Sequence, residues 1–392
     1  MNDNYVNIPL SLYIHIPWCV RKCPYCDFNS YEAKAAPIDL YIEALIADLK
    51  QDYSKSGNRS LRSIFFGGGT PSLLSPKIYE KLLTAIRHSF EFEKAMEISL
   101  EVNPGTIDKQ KCLDYKAIGI NRLSLGVQSF QDDKLAALGR IHDAKTAANA
   151  INYAIKAGFD NFNIDLMYGV PGQKVEDVIF DLKTALSFNV PHLSWYQLTL
   201  EPNTVFFNNP PELPDEDVIH KMKMAGLDFL KESNYQQYEV SGYCKGKQWQ
   251  CKHNLNYWEF GDYLGIGVGA HGKVTDLSRE PDKNGLMITR TRKKQTPDDY
   301  LAAHKLGLSM MAEEKIITEK QLPLEFMMNA LRLYKAIPVA LFEQRTGLNI
   351  NCIANNLMEA KKQKLINYDA KRIIATTKGR DFLNNLLEIF VE

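Results

Sequence analysis

Over the first half of the chain, short apolar runs alternate with longer stretches whose apolar residues recur at helical spacing. Leu10–Ile16 is rich in apolar and β-favouring residues and stops at Pro17, which predicts a strand that delivers a loop. Leu40, Ala44, Leu45 and Leu49 then share one face of a predicted helix. A second strand over 63–66 runs straight into Gly67-Gly68-Gly69-Thr70-Pro71. Ser75-Pro76 starts the next helix, with a capping residue followed by proline at the first helical position; Ile78, Leu82, Leu83 and Ile86 form its apolar face. The alternation continues with strands over 97–102, 122–127, 161–167 and 193–198. Between them the pattern predicts a helix over 143–157 closed by Gly158, and another with Val178, Leu182 and Ala185 on one side. Six strands alternating with helices predict a parallel α/β architecture. In such folds functional residues gather beyond the carboxyl ends of the strands.

The second half breaks this rhythm. Residues 205–217 are rich in proline, asparagine and acid and read as an irregular linker, followed by a helix over 216–233. The stretch 276–297 is polar, and Asn284-Gly285 within it marks a hairpin turn. From about Leu322 the pattern is mostly helical. Residues 339–345, Gly347 and 353–363 read as helix, turn, helix, with two short strands over 365–368 and 372–375 and a further helix from Gly379. That is the outline of a winged helix. Lys361, Lys362, Lys364, Lys371, Arg372, Lys378 and Arg380 raise nucleic-acid binding as a reading, but charge runs are usually solvated faces, and no nucleic acid is expected.

Composition narrows the classes. Lysine plus arginine equals aspartate plus glutamate at 47 each in 392 residues, so no global charge argues for nucleic acid or an anionic membrane. No apolar run has the length of a bilayer span. Residues 1–9 lack the basic and apolar regions of a signal peptide. Seven cysteines, three of them clustered, fit a reducing cytoplasm better than a disulfide framework.

That cluster is Cys19-Val20-Arg21-Lys22-Cys23-Pro24-Tyr25-Cys26, three thiols in the pattern C-x3-C-x2-C. Thiolates so spaced converge on one metal centre, and cysteine sulfur suits an iron–sulfur cluster. Such a cluster usually takes four cysteines, yet the next one is Cys112, so three ligands would leave one iron open. Zinc is the alternative, but a zinc finger needs a fourth protein ligand and no second C-x2-C knuckle is present. A triple glycine alone would be a tight turn; after a strand, one unit beyond the cysteines, it reads as a place where backbone approaches a ligand closely. Glu101, Gln128 and Asp165 fall near the ends of the later predicted strands.

The cysteine loop with its flanking Tyr13, His15 and Pro17, the aromatic Tyr25 between the last two cysteines, and the glycine run together resemble the radical S-adenosylmethionine (SAM) superfamily. The resemblance implies a partial (β/α)6 barrel holding a [4Fe–4S] cluster on Cys19, Cys23 and Cys26. SAM would chelate the open iron and be cleaved reductively to a 5′-deoxyadenosyl radical, chemistry carried by the cofactors rather than the protein. About the first 270 residues resemble the anaerobic coproporphyrinogen III oxidase family. On that likeness Tyr13, Tyr25, Gly68, Gly69, Thr70, Glu101, Gln128, Arg140 and Asp165 are the expected SAM-site residues, with Arg140 suited to a bidentate pair with the SAM carboxylate.

Two departures set the expected activity. The oxidases carry a further cysteine where this chain has Phe28, and a longer N-terminal extension than the dozen residues before Tyr13. Both features resemble the HemW-type haem chaperones instead. So does His253-Asn254-Leu255-Asn256-Tyr257-Trp258, an H-N-x-x-Y-W motif in which His253 is the expected haem ligand, because imidazole is a common axial ligand of haem iron. Cys251 and His271 are weaker candidates for a second ligand. The implied partners are haem, a haem-acceptor protein and a flavodoxin- or ferredoxin-type electron donor, with peripheral contact with membrane haem proteins in view. The alternatives are an oxygen-independent coproporphyrinogen III oxidase or another radical SAM enzyme acting on a porphyrin-like substrate. The expected layout is a partial barrel over 1–204, a haem-motif region over 205–297 packed on it, and a helical, winged-helix-like domain over 298–392.

Overall fold

The computed structural model describes residues 8–34, 36–279, 281 and 284–391; the polar stretch 1–7 and part of the segment expected to turn at Asn284 lie outside the described residues. Strands β1 (Leu10–Ile16), β2 (Leu61–Gly68), β3 (Phe92–Val102), β4 (Arg122–Gln128), β5 (Phe162–Tyr168) and β6 (His192–Gln197) pair side by side in chain order, all parallel. The crossovers carry helices, beginning with α1 (Ile38–Tyr53) and α2 (Pro76–Ser89). This is the expected six-stranded parallel core.

Strand alternation splits the sheet into two chemically distinct faces. Leu10, Leu12, Ile14 and Ile16 of β1 join Tyr41, Ile42, Leu45 and Leu49 of α1 in one continuous apolar core, together with Ile64 and Phe66 of β2 and Leu123 and Leu125 of β4. Residues of the opposite parity are largely polar: Ser11, Tyr13 and His15, then Ser63, then Glu97, Ser99 and Glu101, then Arg122, Ser124 and Gln128. Asn163 and Asp165, with His192, Ser194 and Tyr196, complete this inner face. Core burial fixes the strand register, and the register in turn places every inner-face side chain.

The sheet does not close on itself. The outer edge of β1 takes β9 (Asp262–Ile266), also parallel, while β6 takes antiparallel β8 (Gly242–Cys244), and β8 takes β7 (Gln236–Gln237). Beyond β9 the sheet continues antiparallel through β10 (His271–Thr275), β11 (Ile288–Lys293) and β12 (Met311–Ile316). The hairpin expected around Asn284 is β10–β11, with Thr275 opposite Ile288, and its connection runs over 276–287 rather than a two-residue turn. At the edge, β12 is exposed and charged, which discourages pairing with another chain. Behind β11, buried Lys293 is held by Asp48 at 2.5 Å and Asp52 at 2.7 Å, and Tyr300 donates to Asp48 at 2.7 Å. A buried ammonium persists only with such partners, so this triad stitches the antiparallel extension to α1.

The C-terminal region has its own apolar core around Phe326, Phe342, Leu357, Leu365, Ile373 and Leu386, and it recruits Phe260, Leu286 and Ile288 from the barrel extension. Helices Val339–Thr346 and Ala354–Lys362 pack with a three-stranded antiparallel sheet of Ile337–Pro338, Arg372–Ala375 and Ile366–Tyr368. This is the winged-helix arrangement expected from the sequence. Several of its basic side chains bond locally: Lys361 to the Tyr368 carbonyl, Lys378 to that of Gln363, Arg380 to that of Tyr334, and Arg372 to Asp369. The helix Pro297–Lys305 buries Tyr300, Leu301 and Ala303 in the barrel core instead. Among the described residues no helix is long and apolar enough to cross a membrane.

Candidate cluster and cofactor site

Beyond the carboxyl ends of β1–β5 lies a cavity of about 520 Å³, the size of a small-molecule site. The cysteine loop forms one wall. Its backbone is fixed by bonds from Cys26 N–H to the Cys23 carbonyl, Tyr31 N–H to that of Pro17, and Ala33 N–H to that of Cys19. Cys19, Cys23 and Cys26 all line the cavity, Cys19 buried and the other two half-buried, and none is in a disulfide. Burial raises the thiols of Cys19 and Cys26 above the ordinary range. A metal offsets that cost by binding the thiolate directly.

The glycine run closes on the protein itself. A Cβ on Gly68 would lie 2.6 Å from the His15 ring at a backbone φ of +117°, and one on Gly69 would lie 2.8 Å from the Trp18 carbonyl oxygen. Gly68 N–H donates to Glu101 at 3.1 Å, Gly69 N–H to the Ile16 carbonyl, and Thr70 N–H to that of Trp18. The close approach that requires glycine is therefore to β1 and the root of the cysteine loop. Thr70 sits beside the Cys19 thiol and lowers its pKa against the burial, so the run lies against the first cysteine.

The rest of the wall comes from the inner face. Burial and the neighbouring Asp165 push the Glu101 carboxyl up to about 8. Asp165 is also raised by burial, against the opposing bond from Asn163 at 2.7 Å. Gln128 sits at a β-bulge with φ of +72°, a conformation uncommon outside glycine, and its side chain accepts from Tyr196 at 2.9 Å. Arg140 donates to the Gly126 carbonyl at 2.7 Å, reaches the Tyr25 hydroxyl at 3.4 Å, and stands 3.7 Å from Cys23 Sγ. Its Nε is buried without a partner.

Eleven of the thirteen residues expected from the sequence line this one cavity. Tyr13 and His253 do not. The Tyr13 hydroxyl bonds His15 Nδ1 at 2.9 Å, and His15 Nε2 bonds the Asn29 carbonyl at 2.8 Å. A carbonyl can only accept, so Nε2 carries the ring proton, Tyr13 donates, and the pair orients the loop after β1. His253 is 1% exposed in helix Lys252–Trp258. Its Nδ1 bonds Ser63 at 2.9 Å, its Nε2 bonds Tyr257 at 2.8 Å, and its ring stacks on Phe65 at 5.0 Å. Burial lowers it to about 3, so the imidazole is neutral. The expected haem ligand is thus committed at both nitrogens, and ligation through either would break one of these bonds. Glu97 holds this helix in place by accepting the N–H groups of Lys252 at 3.0 Å and His253 at 3.3 Å, a carboxylate on the otherwise unpaired donors of a helix start.

From the same motif, Asn254 and Trp258 do line the cavity, as do Cys251, Glu239 and Arg332. Cys251 is buried, and burial and then Glu97 push its thiol up to about 12. Asn254 and Trp258 are four apart and share a helix face, as do His253 and Tyr257, so helical pitch divides the motif. That division could have been found from the sequence once the segment was read as a helix. Arg122, buried in the inner face beside Asn161, could have been found by strand parity with Ser124 and Gln128. Arg332 carries no such signal, since it arrives from the C-terminal region.

Among the described residues no three His, Cys, Asp or Glu side chains converge closely enough to clamp a single ion. The three thiols instead share one cavity wall, with the Arg140 guanidinium beside Cys23 and an unpartnered donor at Arg140 Nε. That donor set fits a polynuclear cluster carrying an anionic ligand.

The radical SAM superfamily profile matches residues 13–185, and the HemN C-terminal domain profile matches residues 317–382. Heme chaperone HemW of Haemophilus influenzae is 47% identical over 388 residues, covering 98% of each chain, and heme chaperone HemW of Escherichia coli is 46% identical over 384 residues, again 98% of each. The chain belongs to the HemW family. Among solved structures, coproporphyrinogen III oxidase (HemN) of Escherichia coli, titled a radical SAM enzyme, superposes with a TM-score of 0.82 over 99% of this chain and 91% of that one. At 24% identity that likeness shows the fold alone, and it is the radical SAM fold. As a radical SAM fold of the HemW family, the chain carries the site of a [4Fe–4S] cluster and SAM, and Cys19, Cys23 and Cys26 are the residues that would hold the cluster. When bound, that pair supplies one-electron reducing chemistry at an iron carrying SAM. Glu101, Asp165, Gln128 and Arg140, which line the same cavity, are the groups that would orient SAM there.

Proposed function

We propose that this protein is a haem chaperone: it binds haem beside a cluster-and-SAM site and hands it to an acceptor protein. One observation carries the reading, the likeness over 98% of both chains to proteins named heme chaperone HemW. Phe28 supports it. This ring is 57% exposed and lines the cavity beside Cys26, at the position where the oxidases have a further cysteine. The Lys252–Trp258 helix supports it too, since it brings an aromatic and an amide to the cavity wall. The acceptor is a haem-requiring protein, including haem proteins docked at a membrane surface. The electron donor is a flavodoxin- or ferredoxin-type protein, and the site of action is the cytoplasm.

The test is a haem titration of cluster-reconstituted protein with SAM, followed by mixing with an apo haem protein. A Soret shift on binding and its transfer to the acceptor are the expected results. Anaerobic incubation with coproporphyrinogen, SAM and reductant should give no catalytic yield of protoporphyrinogen. Turnover there, with no haem band in the titration, would return the chain to the oxidases.

A further inference from the structure

Nine buried side-chain polar atoms among the described residues lack a hydrogen-bond partner, and three of them belong to residues lining the cavity: Arg140 Nε, Trp258 Nε1 and Arg332 Nε. Arg140 stands against Cys23 and serves the cluster end. The other two form a separate pair, with the Arg332 guanidinium carbon 4.4 Å from the Trp258 ring centre. Among the described residues Arg332 makes no side-chain hydrogen bond and no ion pair. The acid that acts on it is Glu239, which accepts from Ser241 N–H at 3.4 Å and whose carboxyl burial raises toward the neutral form. A guanidinium with a buried, unpartnered N–H is costly, and so is an indole N–H in the same condition. Both donors belong to side chains on one cavity wall, and the guanidinium fork matches a carboxylate bidentately.

We propose that Trp258 Nε1–H and the Arg332 guanidinium form a carboxylate clamp that takes a propionate of the bound tetrapyrrole. This rests on the haem reading above and assigns which chain groups hold the ligand's acidic edge. It also gives the C-terminal region a direct part in the barrel cavity. Arg332 follows the helix Leu322–Ala330, and its neighbour Leu333 bridges the backbone of Glu239.

The experiment is an equilibrium Soret titration of full-length, cluster-reconstituted protein with haem and with haem dimethyl ester, whose propionates are neutral. Wild type, Arg332→Met and Trp258→Phe are compared, with SAM binding measured in each. Wild type should bind haem about tenfold more tightly than the ester, as the loss of one charge-assisted contact implies. Arg332→Met should lose about that factor for haem and little for the ester. Trp258→Phe should lose severalfold for haem only, since the ring stays and the donor goes. SAM affinity should not move. Equal haem and ester affinities in wild type, or equal loss of both ligands in Arg332→Met, would overturn the clamp while leaving haem binding intact. Weakened SAM binding in Arg332→Met would overturn it in favour of the SAM carboxylate. Failure of wild type to bind either tetrapyrrole would sink the haem reading, and the clamp with it.

Discussion

The cysteine loop and the Lys252–Trp258 helix carry the two clearest motifs in the chain, and the structure treats them in opposite ways. In the loop the backbone is tied down while the thiols are left over. Main-chain hydrogen bonds hold its backbone, and Cys19, Cys23 and Cys26 line a cavity. In the helix the name-giving histidine is tied down instead, by Ser63, Tyr257 and the Phe65 ring, while Asn254 and Trp258 face the cavity. A ligand site is made of groups whose interactions the fold has not already consumed. A histidine satisfied at both nitrogens contributes to stability first, and a thiol raised by burial with no disulfide is available for chemistry.

The comparison is broken most directly by paired substitutions. Cys26→Ser should abolish the reconstituted cluster, read as loss of iron and of its visible absorbance. It should change the stability of the cluster-free protein by no more than about 0.5 kcal/mol, because its side chain is only half-buried. His253→Ala should do the reverse. It opens a cavity beside Phe65 and strands the Tyr257 hydroxyl, while Ser63 keeps its bond to Ser11, a combined loss of about 3 kcal/mol in denaturant unfolding, with the cluster retained. Haem binding lost in His253→Ala at unchanged stability would mean that the helix is built like the loop after all.

Much of this was legible in the sequence, for a physical reason. The parallel strands are short apolar runs with sharp ends, so the strand ends alone drew Glu101, Gln128 and Asp165 together, and the stop at Pro17 put the cysteine loop beyond the end of the first strand. What was not legible depended on partners distant in sequence. The glycine run looked like a ligand cradle, but its tight approach is to His15 and Trp18, more than fifty residues earlier. Tyr13 looked like a site residue, but its hydroxyl is spent on His15. The added strands β7–β12 were missed, apart from the β10–β11 hairpin, because they are short or charged and pair at the edges of a sheet whose centre dominates the hydrophobic signal. Arg332 was invisible because no local pattern says which distant arginine will arrive at the cavity with no hydrogen-bond partner for its Nε.

A finer test of the comparison lies at Glu101, where a group at the cofactor end is left costly by the fold. Its carboxyl is raised from 4.5 to about 8, first by burial and then by Asp165. An acid so raised keeps its proton at neutral pH in the native state. Its contribution to folding stability is full below about 4.5 and is drawn down as pH rises through about 8. A bound ligand that presents an ammonium or hydroxyl donor to this carboxylate reverses that preference and drives a proton off. SAM affinity of the cluster-loaded protein should therefore tighten as pH rises from about 6 toward 8, by up to about tenfold per unit, and level off above. Glu101→Gln cannot release the proton, so its SAM affinity should be weaker and flat across the same range. A wild-type affinity independent of pH would mean that Glu101 stays neutral beside SAM, its cost already met within the fold, as it is for His253.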